Sequence, residues 1–390
     1  MTEAYIVSAF RTAGGRRKGK LSGWHPADLG AEVINALVDD TGIDPASVDD
    51  VIVGCVTQAG EQSFAFGRNI VLASKLPVSV PAVTIDRQCG SSQQSVHFAA
   101  QAVMSGTQDV VIAMGTESMT RVPMFSNLEF HRKAGIGIGP FSQRIQDKFG
   151  VTNFSQFAGA QMIADKYNIT RQQLDEYALS SHKRAILATE SGYFKNEIVP
   201  LAVNVDGKDL VHDRDEGIRF DASLDAIGSV DPLVEGGTIT AANASQICDG
   251  AAGLMIVSER ALKQYNLTPL ARIHQLTVTA GDPVIMLEEP IPSTQVALKK
   301  ARMSIHDIDL FEVNEAFASV PLAWLQVTGA DPEKLNANGG AISLGHPLGA
   351  SGAKLMTTLV HNLIRQKKRW GLQTMCEGGG VANTTIIEVL

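Results

Sequence analysis

Apolar positions along this chain switch between two rhythms. Ala82-Val83-Thr84-Ile85 is an apolar run of strand length, and a turn follows at Cys89-Gly90-Ser91. Val96, Ala99, Ala100 and Val103 then recur at helical spacing. Gly106 ends this predicted helix, and Asp109 to Met114 reads as a strand closing on Gly115. The last third repeats the order. Leu335-Asn336-Ala337-Asn338 leads into a Gly-His turn, and Leu355, Leu359 and Leu363 share one helical face. The basic stretch Lys367-Lys368-Arg369 then precedes a strand from Gly371 to Cys376 and a glycine run. Strand, small-residue turn, helix and strand thus occur twice, which predicts an α/β fold of parallel strands covered by helices. Two such halves facing each other would bring Cys89, His346 and Cys376 towards one cleft.

The middle of the chain has a different pattern. From about Arg121 to Thr238 it is richer in Asp, Lys, Arg and Gln, and reads as an inserted lid region rather than a third core domain. A helix is predicted over Gln161 to Arg184, with a start signal for its second part at Thr170-Arg171-Gln172-Gln173. Ala241 to Gly250 is a polar turn before an apolar run, Ala251 to Val257, that fits a helix or a strand.

Composition narrows the function classes. With 390 residues the chain holds two ordinary domains, or one with insertions. A net charge of −8 argues against a general nucleic-acid binder, though not against a phosphate-bearing ligand on a local basic patch. Four cysteines without CxxC spacing are neither a disulfide framework nor a zinc site, so no metal is expected. A reducing, cytoplasmic location fits them. No signal peptide is expected from the first residues, and no apolar run reaches the ~18 residues of a membrane span, so no membrane partner is expected.

The candidate chemistry lies on the small-residue turns. Cys89 precedes a predicted helix, whose N-terminus would favour the thiolate and draw its pKa from about 8.5 towards neutrality. The alternative is a buried structural cysteine. His346, between Gly345 and Pro347, has little freedom to hide in a core and suits proton transfer with a thiol; the alternative is a surface turn histidine. Cys376, before Gly378, Gly379 and Gly380, reads as a second nucleophile, an acid/base or a small core residue. The N–H groups of that glycine run can cradle an oxyanion. Asn314-Glu315 follows the strand Leu310 to Val313, where an amide either points into a site or caps the next helix. Gly14 to Lys20 matches GxxxxGK, but Leu21 stands where a P-loop needs Ser or Thr, so it reads as a basic surface loop. Cys55 and Cys248 read as structural. No GxGxxG follows a strand, so a nicotinamide cofactor is unsupported.

Over its whole length the chain resembles the thiolases, the acyl-CoA C-acyltransferases. The resemblance rests on the Cys89 turn, Gly115-Thr116-Glu117-Ser118-Met119, Gly237 to Gly250, Val313 to Phe317, Asn338 to Gly349, and Cys376 to Gly380. It implies two similar α/β/α/β/α halves, residues 1–120 with 239–262 and residues 263–390, and a loop domain inserted over 121–238. It also implies a ping-pong reaction with coenzyme A and acyl-CoA or 3-ketoacyl-CoA as substrates, no tightly bound cofactor, and a homodimer or homotetramer. By the resemblance Cys89 is acylated and His346 takes its proton. Cys376 is the acid/base at the α-carbon. Asn314 holds a water for one oxyanion hole, and the N–H groups of Cys89 and Gly378 form the other. Arg219 and Ser245 match coenzyme A contacts, and Met286 and Phe317 match the acyl pocket.

Three departures stand out. Ser92 replaces a usual glycine, Ser155-Gln156-Phe157 stands where acetoacetyl-forming members carry His-Met-Gly, and Glu377 follows the second cysteine, whose pKa it is expected to raise. The second departure, together with Gln88-Cys89-Gly90-Ser91 and Gly60-Glu61-Gln62-Ser63, tilts the expectation to a degradative 3-ketoacyl-CoA thiolase rather than a biosynthetic acetyltransferase. A ketoacyl synthase would carry His in place of Cys376, and a non-catalytic lipid carrier would lack Cys89 or His346.

Overall fold

The computed structural model describes residues 3–390. Its main sheet is built from β1 (Ala4–Thr12), β2 (Asp50–Gly54), β3 (Ala82–Ile85), β4 (Val110–Ser118), β5 (Cys248–Ser258), β6 (Ala271–Ala280), β7 (Leu310–Val313), β8 (Trp370–Glu377) and β9 (Val381–Val389), in the order β7-β8-β9-β6-β1-β5-β4-β2-β3. The helices packed on it are α1 (Pro26–Thr41), α2 (Phe66–Ala73), α3 (Ser91–Ser105), α6 (Pro290–Ala301), α7 (Ser319–Thr328) and α8 (Ser351–Gln366), while α4 (Gln156–Lys166) and α5 (Arg171–Glu190) belong to the middle segment.

The predicted repeat is present, but the sheet is mixed rather than parallel. In the first half β3, β2 and β4 are parallel, and β5 and β1 are antiparallel to their neighbours. In the second half β7 and β8 are parallel, with a parallel bridge from Phe311 to Leu335, and β9 and β6 are antiparallel. The physical reason is visible at β8 and β9. The turn Gly378–Gly380 joins them directly, with positive φ at Gly379 and Gly380, and so short a hairpin can only return antiparallel. The halves meet where β1 pairs with β6 at Tyr5 and Ile6.

Both faces of the sheet are covered. On β4, Val111 and Ala113 pack inward with Val96, Ala99 and Val103 of α3 and Leu359 and Leu363 of α8. Ile112 and Met114 face the other way, onto Val33 and Leu37 of α1 and Ile70 of α2. Burial on both faces is why this strand reads as a continuous apolar run. Likewise Ile387 of β9 joins the central layer, while Ile386 packs with Trp324 of α7 and Ile291 of α6. The result is five layers, α/β/α/β/α, with α3 and α8 in the middle. The fit of those two is tight: a Cβ on Gly352 would lie 2.1 Å from the Gln93 backbone nitrogen.

The middle segment corrects one expectation. The helix predicted over Gln161 to Arg184 is two helices, broken at Tyr167–Thr170, where Asn168 takes φ +53° and Thr170 and Gln173 form a capping box. The run after Gly250 resolves as strand β5. The segment is locked to the core by a buried ion cluster. Arg11 of β1, 0% exposed, pairs with Glu197 at 2.6 Å and Asp215 at 2.9 Å. Asp215 also accepts from Gly14 N–H, and Glu197 accepts from Thr358 of α8. No helix among the described residues is long and apolar enough to cross a membrane.

Removing one partner of a buried pair strands the other charge. Asp215→Asn should therefore lower unfolding stability by about 3–5 kcal/mol in urea titrations near neutral pH. Burial opposes ionisation of Asp215, but Arg11 and Lys354 outweigh it and hold the carboxyl at about 2. Its contribution is thus present above the ordinary carboxylate range and is lost as pH falls towards about 2. The stability gap between wild type and Asp215→Asn should close on acidification; a gap of constant size would contradict this.

Candidate active site

Cys89 sits between β3 and α3 on a loop that its neighbours hold in shape. Asp86 accepts from Gln88 N–H, Ser91 Oγ accepts from Arg87 N–H and donates to Gln88 O, and Gln88 itself takes φ +48°. Gly90 caps α3, so the thiol is at a helix N-terminus as predicted. Its acidity is the reverse of the prediction. Cys89 is 8% exposed among Val56, Met119, Leu348 and Met375. Burial first, then the Glu377 carboxylate, push its pKa up to about 12. A partial charge at a helix end does not offset removal of a thiolate from water.

His346 is likewise buried, 3% exposed, not a surface turn residue. Its backbone N–H donates to Gln246 O. Its Nδ1 lies 2.5 Å from Ser351 Oγ, whose own hydrogen goes to Pro347 O at 2.9 Å. The hydroxyl must then accept, so Nδ1 carries the proton and Nε2 presents a lone pair. That lone pair faces Asn314 Nδ2 at 3.4 Å. Burial, then the Lys354 charge, hold the imidazole down at about 3, so it is neutral. Asn314 does not cap the following helix; Ala318 occupies that position. Its Oδ1 is buried without a partner.

Cys376 lies at the end of β8, fully buried. Its thiol is pushed well above its ordinary range by burial, then by Cys89, then by Glu377, as expected of Glu377. Cys376 therefore lies within the field of Cys89. No hydrogen bond joins the His346 ring to either thiol among the described residues. Gly378 abuts the Cys89 loop: a Cβ there would lie 2.9 Å from Gln88 Oε1. Among the described residues neither Cys89 N–H nor Gly378 N–H donates to a protein acceptor.

The other predicted residues divide between surface and core. Met286 and Phe317 are buried in the same apolar cluster as Cys376, and Phe317 packs edge-on against Phe157 at 5.6 Å. Ser245 is half-buried, its N–H donating to Ala316 O. Arg219 is exposed, and its N–H donates to His182 of α5. Gln246 bonds Gly217 O, which ties the Arg219 turn to Ser245. Among the described residues no hydrogen bond joins Arg219 to the thiols. Sequence reasoning missed Ser351 and the anchoring carboxylates. Glu117 accepts from Val56, Thr57 and Gly349 N–H and from Gln62. Glu315 accepts from Ser181, Tyr177, Asn336 and Ile342 N–H. The one available signal was an acid ending or following a strand inside a small-residue motif.

Residues 4–260 match the family model described as thiolase, N-terminal domain, and residues 267–389 the one described as thiolase, C-terminal domain. The chain is 51% identical to "Steroid 3-ketoacyl-CoA thiolase FadA6" of Mycobacterium tuberculosis, covering 100% of this chain and 95% of that protein. It is 40% identical to "3-ketoacyl-CoA thiolase" of Serratia proteamaculans, with both chains fully covered. The crystal structure of the Bacillus anthracis acetyl-CoA acetyltransferase superposes with a TM-score of 0.90 at 34% identity, covering 100% of this chain and 99% of that one. The chain belongs to the thiolase family and is an acyltransferase.

The buried, neutral imidazole has a direct consequence. In NMR titrations of the free enzyme, the His346 ring signals should stay those of the Nδ1–H neutral form from about pH 8 down to about pH 5. A titration centred near the ordinary histidine value would contradict the geometry.

Proposed function

We propose that this protein is a degradative 3-ketoacyl-CoA thiolase, cleaving 3-ketoacyl-CoA with coenzyme A to acetyl-CoA and a shortened acyl-CoA. The observation that carries this reading is the pair of buried thiols, Cys89 and Cys376, with Cys89 acting on the Cys376 thiol, together with the buried, neutral imidazole of His346. In the first step Cys89 Sγ attacks the 3-keto carbon. The thiol is protonated at neutral pH, so its proton passes to His346 Nε2 as the C–S bond forms. The C2–C3 bond breaks, its electron pair stays on C2 as an enolate, and the Cys376 S–H protonates C2. In the second step the coenzyme A thiol returns a proton to Cys376 and attacks the acyl carbonyl. Cys89 leaves and recovers its proton from His346.

The two carbonyl oxygens need separate donors. We assign one to protonated His346 with a water fixed by Asn314, and the other to the N–H groups of Cys89 and Gly378. The unpartnered Asn314 Oδ1 and the two free N–H groups support this assignment. Arg219 and Ser245 are assigned to coenzyme A, and Met286 and Phe317 to the acyl pocket. Residues 121–238 are read as the loop domain between the two halves of the first repeat, 1–120 and 239–262, with 263–390 as the second. The name of the mycobacterial relative favours a bulky acyl group. We further propose a cytoplasmic homo-oligomer, dimer or tetramer. The open edge of β3, with Val83 45% exposed, supports it.

Acid-quenched peptide mapping after acetyl-CoA should place one acetyl group on Cys89 and none in Cys89→Ala. Label confined to another cysteine would sink the assignment. Thiolysis rates over a ladder of 3-ketoacyl-CoAs should favour chains longer than acetoacetyl; a strict acetoacetyl preference would reject the degradative reading. Light scattering should show an assembly at micromolar concentration, and a stable monomer of 41.6 kDa would reject the oligomer.

A further inference from the structure

One buried acid beside the thiols has no part in the reaction described above. Glu377 ends β8 and is fully buried, yet neither carboxyl oxygen has a hydrogen-bond partner. A charge left so would be expensive, whereas the buried Glu117 and Glu315 each accept four bonds. The Glu377 side chain is also deliberately accommodated. A Cβ on residue 90 would lie 1.8 Å from its Oε1 and 2.5 Å from its Cδ, so the carboxyl occupies the space that glycine leaves beside Cys89.

The groups facing it can be named. Arg87, two residues before Cys89, is the nearby cation; its Nε is buried and also unpartnered. Asp86 on the same loop adds a negative charge, and the Asn383 N–H on β9 faces the carboxyl without a full hydrogen bond. Cys89 and Cys376 complete the set, and each feels the Glu377 charge. Burial outweighs Arg87 and holds the carboxyl well above its ordinary range.

We propose that Glu377 is a positioning residue for the nucleophile: an uncharged carboxyl seated on Gly90, whose proton is coupled to the two thiols so that carboxylate and thiolate do not form together. The inference rests on the proposed role of Cys89. In water-free surroundings two anions this close repel strongly, so the protons leave in separate steps that belong to the group and not to one residue. The carboxyl thereby lets a thiolate appear transiently during attack, while it resists a second negative charge in the resting pocket.

The test is the pH profile of Cys89 alkylation by iodoacetamide, with the labelled peptide identified at each pH. Wild type should show two steps, because loss of the Glu377 proton postpones thiolate formation. Glu377→Gln, nearly isosteric and permanently neutral, should show one step at lower pH, with alkylation on the alkaline side faster by about tenfold per unit of displacement. Arg87→Gln should move the first step to higher pH, since it removes the cation that favours the carboxylate. Cys89 labelled with the same profile in all three proteins would overturn the proposal. Label on another cysteine would reject the nucleophile assignment and this inference with it. A role in packing alone would change the amount of active protein without moving the steps.

Discussion

The site depends on one buried carboxylate, Glu117, more than on any catalytic side chain. It stands near the end of β4 and takes N–H groups from Val56 and Thr57 in the first half and from Gly349 in the second. Gly349 is three residues from His346, so this single carboxylate fixes the histidine turn against the half that carries Cys89. Burial alone drives Glu117 towards neutrality, and the four donors around it act against that tendency. The close approach it requires is also written into the backbone: a Cβ on Gly115 would lie 2.1 Å from Gly349 O. Without that clamp the two repeats would still be folded layers, but their turns would have no common register.

The same logic explains why the reactive groups are buried. Both thiols are held protonated by desolvation and by the neighbouring Glu377, Cys376 also by Cys89, and His346 is held neutral. None of the three is a strong acid or base at rest. In the proposed reaction their chemistry is then conditional on substrate, which brings a carbonyl whose developing oxyanion meets the donors assigned to it. Bulk water, the competing nucleophile for an acyl thioester, meets little exposed sulfur: Cys89 is 8% exposed and Cys376 fully buried.

Much of this was legible in the sequence, for reasons that differ by element. Helices α3 and α8 were visible because each buries one face at regular spacing, through Val96, Ala99 and Val103 or Leu359 and Leu363. Strand β4 was visible because it is apolar on both faces. Strand direction was not, since nothing in the composition of β5 or β9 states which neighbour it pairs with. The break at Asn168 is hidden because the flanking residues are good helix formers, so the start signal at Thr170 reads as opening the second part of one helix. At the site, residue identity marked Cys89, His346 and Cys376, whereas their environment was misjudged. The acidity of Cys89 depends on Glu377, and the tautomer of His346 on Ser351, through contacts that local pattern does not carry. Asn314 was placed at a strand end correctly, but the segment to Ala318 delays the helix it was expected to cap.

The central claim is that the two thiols divide the reaction, Cys89 carrying the acyl group and Cys376 the proton at the α-carbon. The most direct measurement is exchange of the acetyl-CoA α-protons with deuterium in a Cys376→Ser variant. A serine hydroxyl is far too weak an acid to shuttle that proton at neutral pH. The account predicts that the variant still forms acetyl-enzyme, while its α-proton exchange falls to the uncatalysed level. Exchange at the wild-type rate would contradict it and would require His346 or Glu377 to be the base.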